Sequence, residues 1–131
     1  MKRKILVVDD EEDILHFLEM VLSEKGYEVV TAAGGHQALT RAQIEHPDLV
    51  LLDVMMPQMD GWEVLKLLRA DEGTAHIPVA MLSARTEAKD RVHGLQEGAI
   101  DYICKPFSLQ ELLGKIDTAL GQNNARAQSG Q

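Results

Sequence analysis

Five short apolar runs alternate with stretches of helical spacing along most of the chain, and nothing else in the sequence constrains the fold as tightly. The first run, Ile5-Leu6-Val7-Val8, has no polar residue. A strand with one wet face would alternate apolar and polar side chains; an unbroken run reads as a strand buried on both faces, the parallel-sheet type. Apolar residues then recur at Ile14, Phe17, Leu18, Val21 and Leu22, the one-face spacing of a helix, with Gly26 beyond as a stop signal. Glu28 to Thr31 predicts a second strand, and a helix from about His36 to Glu45 follows, ended by Pro47. Asp48 to Leu52 predicts the third strand, ending at Asp53. The next helix carries Val64, Leu65, Leu67 and Leu68 behind an Asp60/Glu63 capping box. Pro78 to Leu82 predicts the fourth strand, ending at Ser83; a helix from about Glu87 to Glu97 stops at Gly98. Tyr102 to Cys104 predicts the fifth strand, ending at Lys105, and Ser108 with Glu111 caps a fifth helix carrying Leu112, Leu113, Ile116 and Leu120.

Strict βα alternation predicts an α/β fold: an open, doubly wound parallel sheet with helices on both faces. The chain has 131 residues, which fits one domain with its own core. The formal charge is −8 and no run of Lys and Arg offers a phosphate-tracking patch, which disfavours direct nucleic-acid contact. A single cysteine, Cys104, cannot form an intramolecular disulfide and fits a reducing compartment. The apolar stretch after Met1-Lys2-Arg3-Lys4 is too short for a signal peptide or a membrane span, so the expected location is cytoplasmic.

The chemistry lies in where the polar residues fall. Asp9-Asp10, Asp53, Ser83 and Lys105 each follow directly on an apolar run, at strands one, three, four and five. Open α/β sheets bind ligands outside the carboxyl ends of their strands, at the topological switch point. In the flavodoxin-like order 2-1-3-4-5 that point lies between strands one and three, where the acidic pair would face Asp53. Taken singly, each residue has a plainer reading: Asp9-Asp10 as a helix cap, Asp53 and Ser83 as turn formers, Lys105 as a solvated lysine. Together they place three carboxylates, a hydroxyl and a lysine on one edge.

Converging carboxylates repel, so one takes up a proton unless cations compensate. A lysine and a hard, oxygen-seeking ion such as Mg²⁺ are the natural compensators, and Mg²⁺ usually binds one or two carboxylates plus a phosphate. The five histidines form no motif and no His/Cys spacing supports zinc. A carboxylate can act as nucleophile toward phosphorus, giving an acyl phosphate. A phosphatase of the aspartate-nucleophile class would need a second Asp two places after the first, where Met55 stands. Neither a Gly-rich dinucleotide fingerprint nor a P-loop is present.

The strings Val7-Val8-Asp9-Asp10-Glu11, Asp53 to Gly61 (DVMMPQMDG), Leu82-Ser83-Ala84 and Tyr102-Ile103-Cys104-Lys105-Pro106-Phe107 resemble the receiver domains of two-component response regulators, CheY-type in fold. The likeness covers about residues 3 to 120, which implies a receiver domain over 1–120 and a flexible tail or linker start over 121–131. It further implies Asp53 as phosphoacceptor, with Asp9, Asp10, Asp53 and the Met55 backbone carbonyl holding Mg²⁺. Lys105 would pair with Asp53 and then with phosphate, before a cis bond to Pro106. Ser83 and Tyr102 would be the switch pair, and Met55 and Arg85 would tune dephosphorylation. The implied donor is a sensor histidine kinase or phosphotransfer protein, and the implied role is a switch rather than a turnover enzyme.

The segment from Asp90 to Ile116 resembles the OmpR/PhoB branch of winged-helix transcription factors, which dimerises through helix four, strand five and helix five when phosphorylated. That implies a phosphorylation-dependent homodimer with Arg91–Glu111 and Asp101–Lys115 as cross-subunit ion pairs. Ile100 and Lys115 depart from the branch's usual acidic residue and arginine. With no effector segment after residue 120, the expectation is a single-domain regulator or a piece of a longer one.

Overall fold

The computed structural model describes residues 2–83 and 98–129, with backbone only after residue 121. The predicted helix from Glu87 to Glu97, and with it Arg85 and Arg91, lies outside the described residues.

Five strands form one sheet: β1 (Lys4–Val8), β2 (Glu28–Ala32), β3 (Leu49–Asp53), β4 (Val79–Ser83) and β5 (Asp101–Cys104). Their order is β2-β1-β3-β4-β5, and every pairing is parallel, as the apolar runs predict. Four described helices connect or follow them: α1 (Glu12–Glu24), α2 (Gly35–Glu45), α3 (Gly61–Ala70) and α4 (Leu109–Ser129), the last being the one predicted as fifth.

Successive strand residues point to opposite faces, and the core divides accordingly. On one face Leu6, Val8, Val50, Leu52 and Met81 pack against Ala38 and Ala42 of α2 and Val64, Leu65 and Leu68 of α3. On the other, Ile5, Val7, Leu49, Leu51 and Ile103 pack against Leu15, Leu18 and Leu22 of α1 and Leu112 and Ile116 of α4. The sheet is thus covered on both sides, which is why its central strands carry no polar residue between their first and last positions. β2 is an edge strand, and only its Ala32 is buried.

Both predicted side-chain caps form at least in half. Asp60 accepts from the Glu63 amide at 3.0 Å, and Ser108 from the Glu111 amide at 3.0 Å. One expectation needs correction. The buried stripe of α1 is Leu15, Leu18, Val21 and Leu22, whereas Phe17 is 47% exposed; the helix places Leu15 on the Leu18–Leu22 stripe and turns Phe17 away from it. The chain also stays helical to Ser129, across the expected limit at residue 120. Gly26 ends α1 with φ +95, but Gly121 takes no such left-handed turn. The following Gln, Ala and Arg residues are serviceable helix formers, and extending a nucleated helix costs little.

Candidate functional site

The parallel register delivers the polar residues to one edge. Asp53 ends β3 and Ser83 ends β4, with Asp53 opposite Leu82 and Ser83 opposite Cys104. The Val54 amide donates to the Leu82 carbonyl at 2.9 Å, and the Lys105 amide to the Ser83 carbonyl at 2.6 Å. These backbone bonds carry the sheet one residue past its strands and fix where Lys105 begins. Its peptide bond to Pro106 is cis, as expected.

Asp9, Asp10 and Asp53 each bring a carboxylate oxygen within 4.8 Å of the others. Asp9 and Asp53 are buried, Asp10 exposed. Lys105 Nζ donates to Asp9 Oδ2 at 3.0 Å and to Asp53 Oδ1 at 3.1 Å. Asp9 Oδ1 accepts from the Glu11 amide at 3.0 Å, an Asx turn just ahead of α1; the N-cap of α1 is Glu11, which makes no side-chain cap bond, so the plainer reading of Asp9 as the helix cap does not hold. Three carboxylates therefore face one ammonium. Burial, then the charge of Asp9, push the Asp53 carboxyl up from its ordinary 3.8 to about 6, against the pull of Lys105. Burial disfavours the Lys105 cation, but its hydrogen bond to Asp9 and the charge of Asp53 outweigh this and raise its pKa. An all-oxygen donor set short of positive charge and open at Asp10 suits a hard divalent cation.

The other expected site residues fall as follows. Ser83 is fully buried at the end of β4, and Met55 lies in the loop after β3 with its side chain exposed. Tyr102 is buried in mid-β5, its ring stacked on Trp62 of α3 with centroids 6.4 Å apart. Asp101 and Lys115 bond to each other within the chain at 3.1 Å. The expected cross-subunit pair is thus formed internally here, because β5 and α4 are neighbours.

Two site features escaped the sequence reading. Gly61 packs so closely that a Cβ there would overlap the Asp53 carbonyl oxygen, and its amide donates to Val54 at 2.9 Å. A glycine at the head of a helix is the only trace of this in the sequence. Beside Lys105, Ile14, Phe17, Pro106 and Phe107 line an apolar cleft of about 380 Å³; exposed Phe17 is its signal.

The family model for the response regulator receiver domain matches residues 5–117. The chain belongs to that family. This receiver domain is 54% identical over 119 residues to a probable transcriptional regulator ycf27 of Cyanophora paradoxa, covering 91% of the chain and 48% of that protein. It is 45% identical over 131 residues to the alkaline phosphatase synthesis transcriptional regulatory protein PhoP of Bacillus subtilis, covering 100% of the chain and 54% of that protein. The chain spans about half the length of the curated relatives it matches. Among solved structures it resembles the chemotaxis protein CheY4 of Vibrio cholerae, with TM-score 0.86 and 34% identity, covering 91% of this chain and 99% of that one. The receiver domain is thus a module of phosphorylation-activated two-component signalling. Among the described residues no helix is long and apolar enough to cross a membrane.

Proposed function

We propose that Asp53 takes a phosphoryl group from a phosphohistidine on a sensor kinase or phosphotransfer protein, with Mg²⁺ as cofactor. The observation that carries this is the cluster itself: three converging carboxylates, two of them held by one lysine, with Asp53 pushed up to about 6. At pH 7.5 such a group is still mostly ionised and nucleophilic. Lys105 holds Oδ1 of Asp53 and fixes the rotation of the carboxylate. An Asp53 oxygen bonds to phosphorus as the P–N bond to the imidazole breaks, and the imidazole leaves with the bonding pair. Lys105 then follows the negative charge onto the phosphoryl oxygens, and the Ser83 hydroxyl donates to one of them. Asp9, Asp10, Asp53 and the Met55 carbonyl would hold Mg²⁺, which when bound supplies charge neutralisation between the acidic cluster and the phosphoryl oxygens. Each chain carries one phosphoryl group and loses it to water, so the domain is a switch and not a turnover enzyme.

The apolar cleft beside Lys105 supports a protein donor, since an apolar rim at the mouth of a charged site suits a docked helix better than a small anion. The transcriptional relatives support an output in gene control, from the cytoplasm, in a longer protein whose other part contacts DNA. A phosphorylation-dependent homodimer through β5 and α4 would exchange the internal Asp101–Lys115 pair for one across the interface.

Incubation with acetyl phosphate and MgCl₂, followed by intact mass, tests the reading. One added phosphoryl group is expected, absent in Asp53→Asn and with EDTA. No gain in the parent chain would leave a domain that only makes contacts. Sizing with and without beryllofluoride tests the dimer.

A further inference from the structure

The loop from Val54 to Asp60 joins β3 to α3 and carries the Met55 carbonyl, so whatever holds the loop sets where that carbonyl lies. Much of the loop faces solvent: Met55, Pro57 and Gln58 are exposed. Gln58 takes the left-handed conformation, φ 70, which side chains other than glycine keep only where their surroundings hold them. One hold is at the loop's end, where the Gly61 amide bonds to the Val54 carbonyl at 2.9 Å. A second is Met56, buried in the core. A third is Met59, next to the strained residue and half-buried against the same core.

Met59 meets the first residue of α2. A Cβ added to Gly35 would lie 2.8 Å from the Met59 sulfur, 2.9 Å from its Cβ and 3.0 Å from its Cγ. The sulfur could swing away, but a Cβ is fixed to its backbone. Loop and helix therefore approach more closely than any residue with a Cβ at position 35 would allow. α2 is anchored on the sheet by Ala38 and Ala42, both fully buried. The loop is the part that can yield, because Pro57, Gln58 and Met59 border a cleft of about 220 Å³ shared with the start of α2. A methyl group at position 35 would push Met59 off its seat, and the strained turn at Gln58 would lose the neighbour that holds it.

We infer that Gly35 is a positioning residue for the metal site: by admitting Met59 it seats the β3–α3 loop, and so keeps the Met55 carbonyl where it can join Asp9, Asp10 and Asp53 around a divalent cation. This rests on the Mg²⁺ site proposed above.

The test titrates the full chain with Mn²⁺, which shares the octahedral, oxygen-seeking preference of Mg²⁺, and follows the paramagnetic resonance of the free ion. Binding by the parent that Asp10→Asn weakens places the ion at the acidic cluster. Gly35→Ala is expected to weaken that binding roughly tenfold, the lower end of what a residue supporting a metal ligand from outside contributes. Gly34→Ala makes the same chemical change one residue earlier, in extended backbone and with nothing within 4 Å of the new methyl group among the described residues. It removes a favoured helix cap, so the melting temperature should drop slightly while Mn²⁺ affinity matches the parent. Met59→Ala trims the seat without pushing on it and should weaken binding by a smaller factor than Gly35→Ala; it decides the matter if Gly35→Ala does not fold. Parent-like affinity in Gly35→Ala, or in Met59→Ala where the first variant does not fold, overturns the inference and leaves the metal site standing. So does an equal loss in Gly34→Ala, which would make the effect one of helix stability. A parent that does not bind Mn²⁺, or that binds it as well with Asp10→Asn, overturns the metal site and the inference with it.

Discussion

The two edges of the sheet are both rich in charge, and they treat it in opposite ways. At the amino edge charges are matched. Lys4 Nζ lies 3.0 Å from Glu45 and 3.5 Å from Glu28, Arg41 lies 3.7 Å from Glu45, and Arg3 lies 3.9 Å from Asp48. The Glu45 hydrogen bond raises the Lys4 pKa, as a satisfied ammonium should show. At the carboxyl edge three carboxylates converge, and the two buried ones, Asp9 and Asp53, share Lys105. Matched, partly solvated pairs contribute little and are screened by salt. A buried surplus of one sign stores repulsion that only an added cation or a proton can relieve. The edge that is electrostatically unfinished is the one that can respond to a ligand.

The largest expected effect is at Lys105. Lys105→Met leaves Asp9 and Asp53 buried without their counter-ion, which should cost roughly 3 kcal/mol or more at pH 7.5. The loss should shrink near pH 4, where Asp53 takes up a proton; urea unfolding at both pH values would show it. Phosphoryl uptake from acetyl phosphate should fall by roughly 10²–10³, the usual effect of removing one electrostatic stabiliser.

Next comes Asp53→Asn, with the opposite sign. The folded-state pKa of about 6 lies above the ordinary 3.8, so between these values the native state holds a proton that the unfolded chain releases. Stability contributed by this group therefore falls as pH rises from about 4 to about 6, then stays level. In metal-free buffer the Asn variant should match the parent near pH 4 and exceed it by roughly 3 kcal/mol above pH 7. A variant no more stable than the parent at pH 7.5 would mean that the carboxylates are already relieved, and the contrast between the edges would fail.

Gly61→Ala should be smaller. The added methyl group meets the Asp53 carbonyl oxygen, a backbone atom that cannot rotate away. Overpacking of this kind costs about 1–3 kcal/mol, and because the acceptor strand must shift, phosphoryl uptake should slow more than the melting temperature alone would suggest.

These contrasts also explain how much the sequence disclosed. The strands were legible because a doubly covered sheet demands unbroken apolar runs, and each observed strand lies within one residue of its expected limits. Asp9, Asp53 and Lys105 were legible because the parallel topology sends every strand end to the same edge. Contacts decided by rotation about a helix axis were not. Phe17 has a spacing compatible with the buried face, but the actual stripe runs through Leu15, Leu18 and Leu22. Trp62 on Tyr102, and Gly61 on Asp53, join elements far apart in the chain, and no periodicity encodes which residue meets which. Asp101 and Lys115, expected as a pair between subunits, bond within the chain at 3.1 Å; charge pattern cannot tell a partner in the same chain from one in the next.

The smallest expected effect is at the matched edge. Glu45→Gln removes the carboxylate from Lys4 and Arg41, yet both cations keep access to water and Lys4 retains Glu28. The shift in melting temperature should be the least of the four variants, with phosphoryl uptake unchanged. It should vanish near 1 M salt, where the screening length is about 3 Å. The Asp53→Asn gain should largely survive the same salt, because burial excludes the screening ions from that cluster. A Glu45→Gln shift that persists at high salt would show the amino edge to be as poorly solvated as the site, and the difference between the two edges would then lie in charge balance alone.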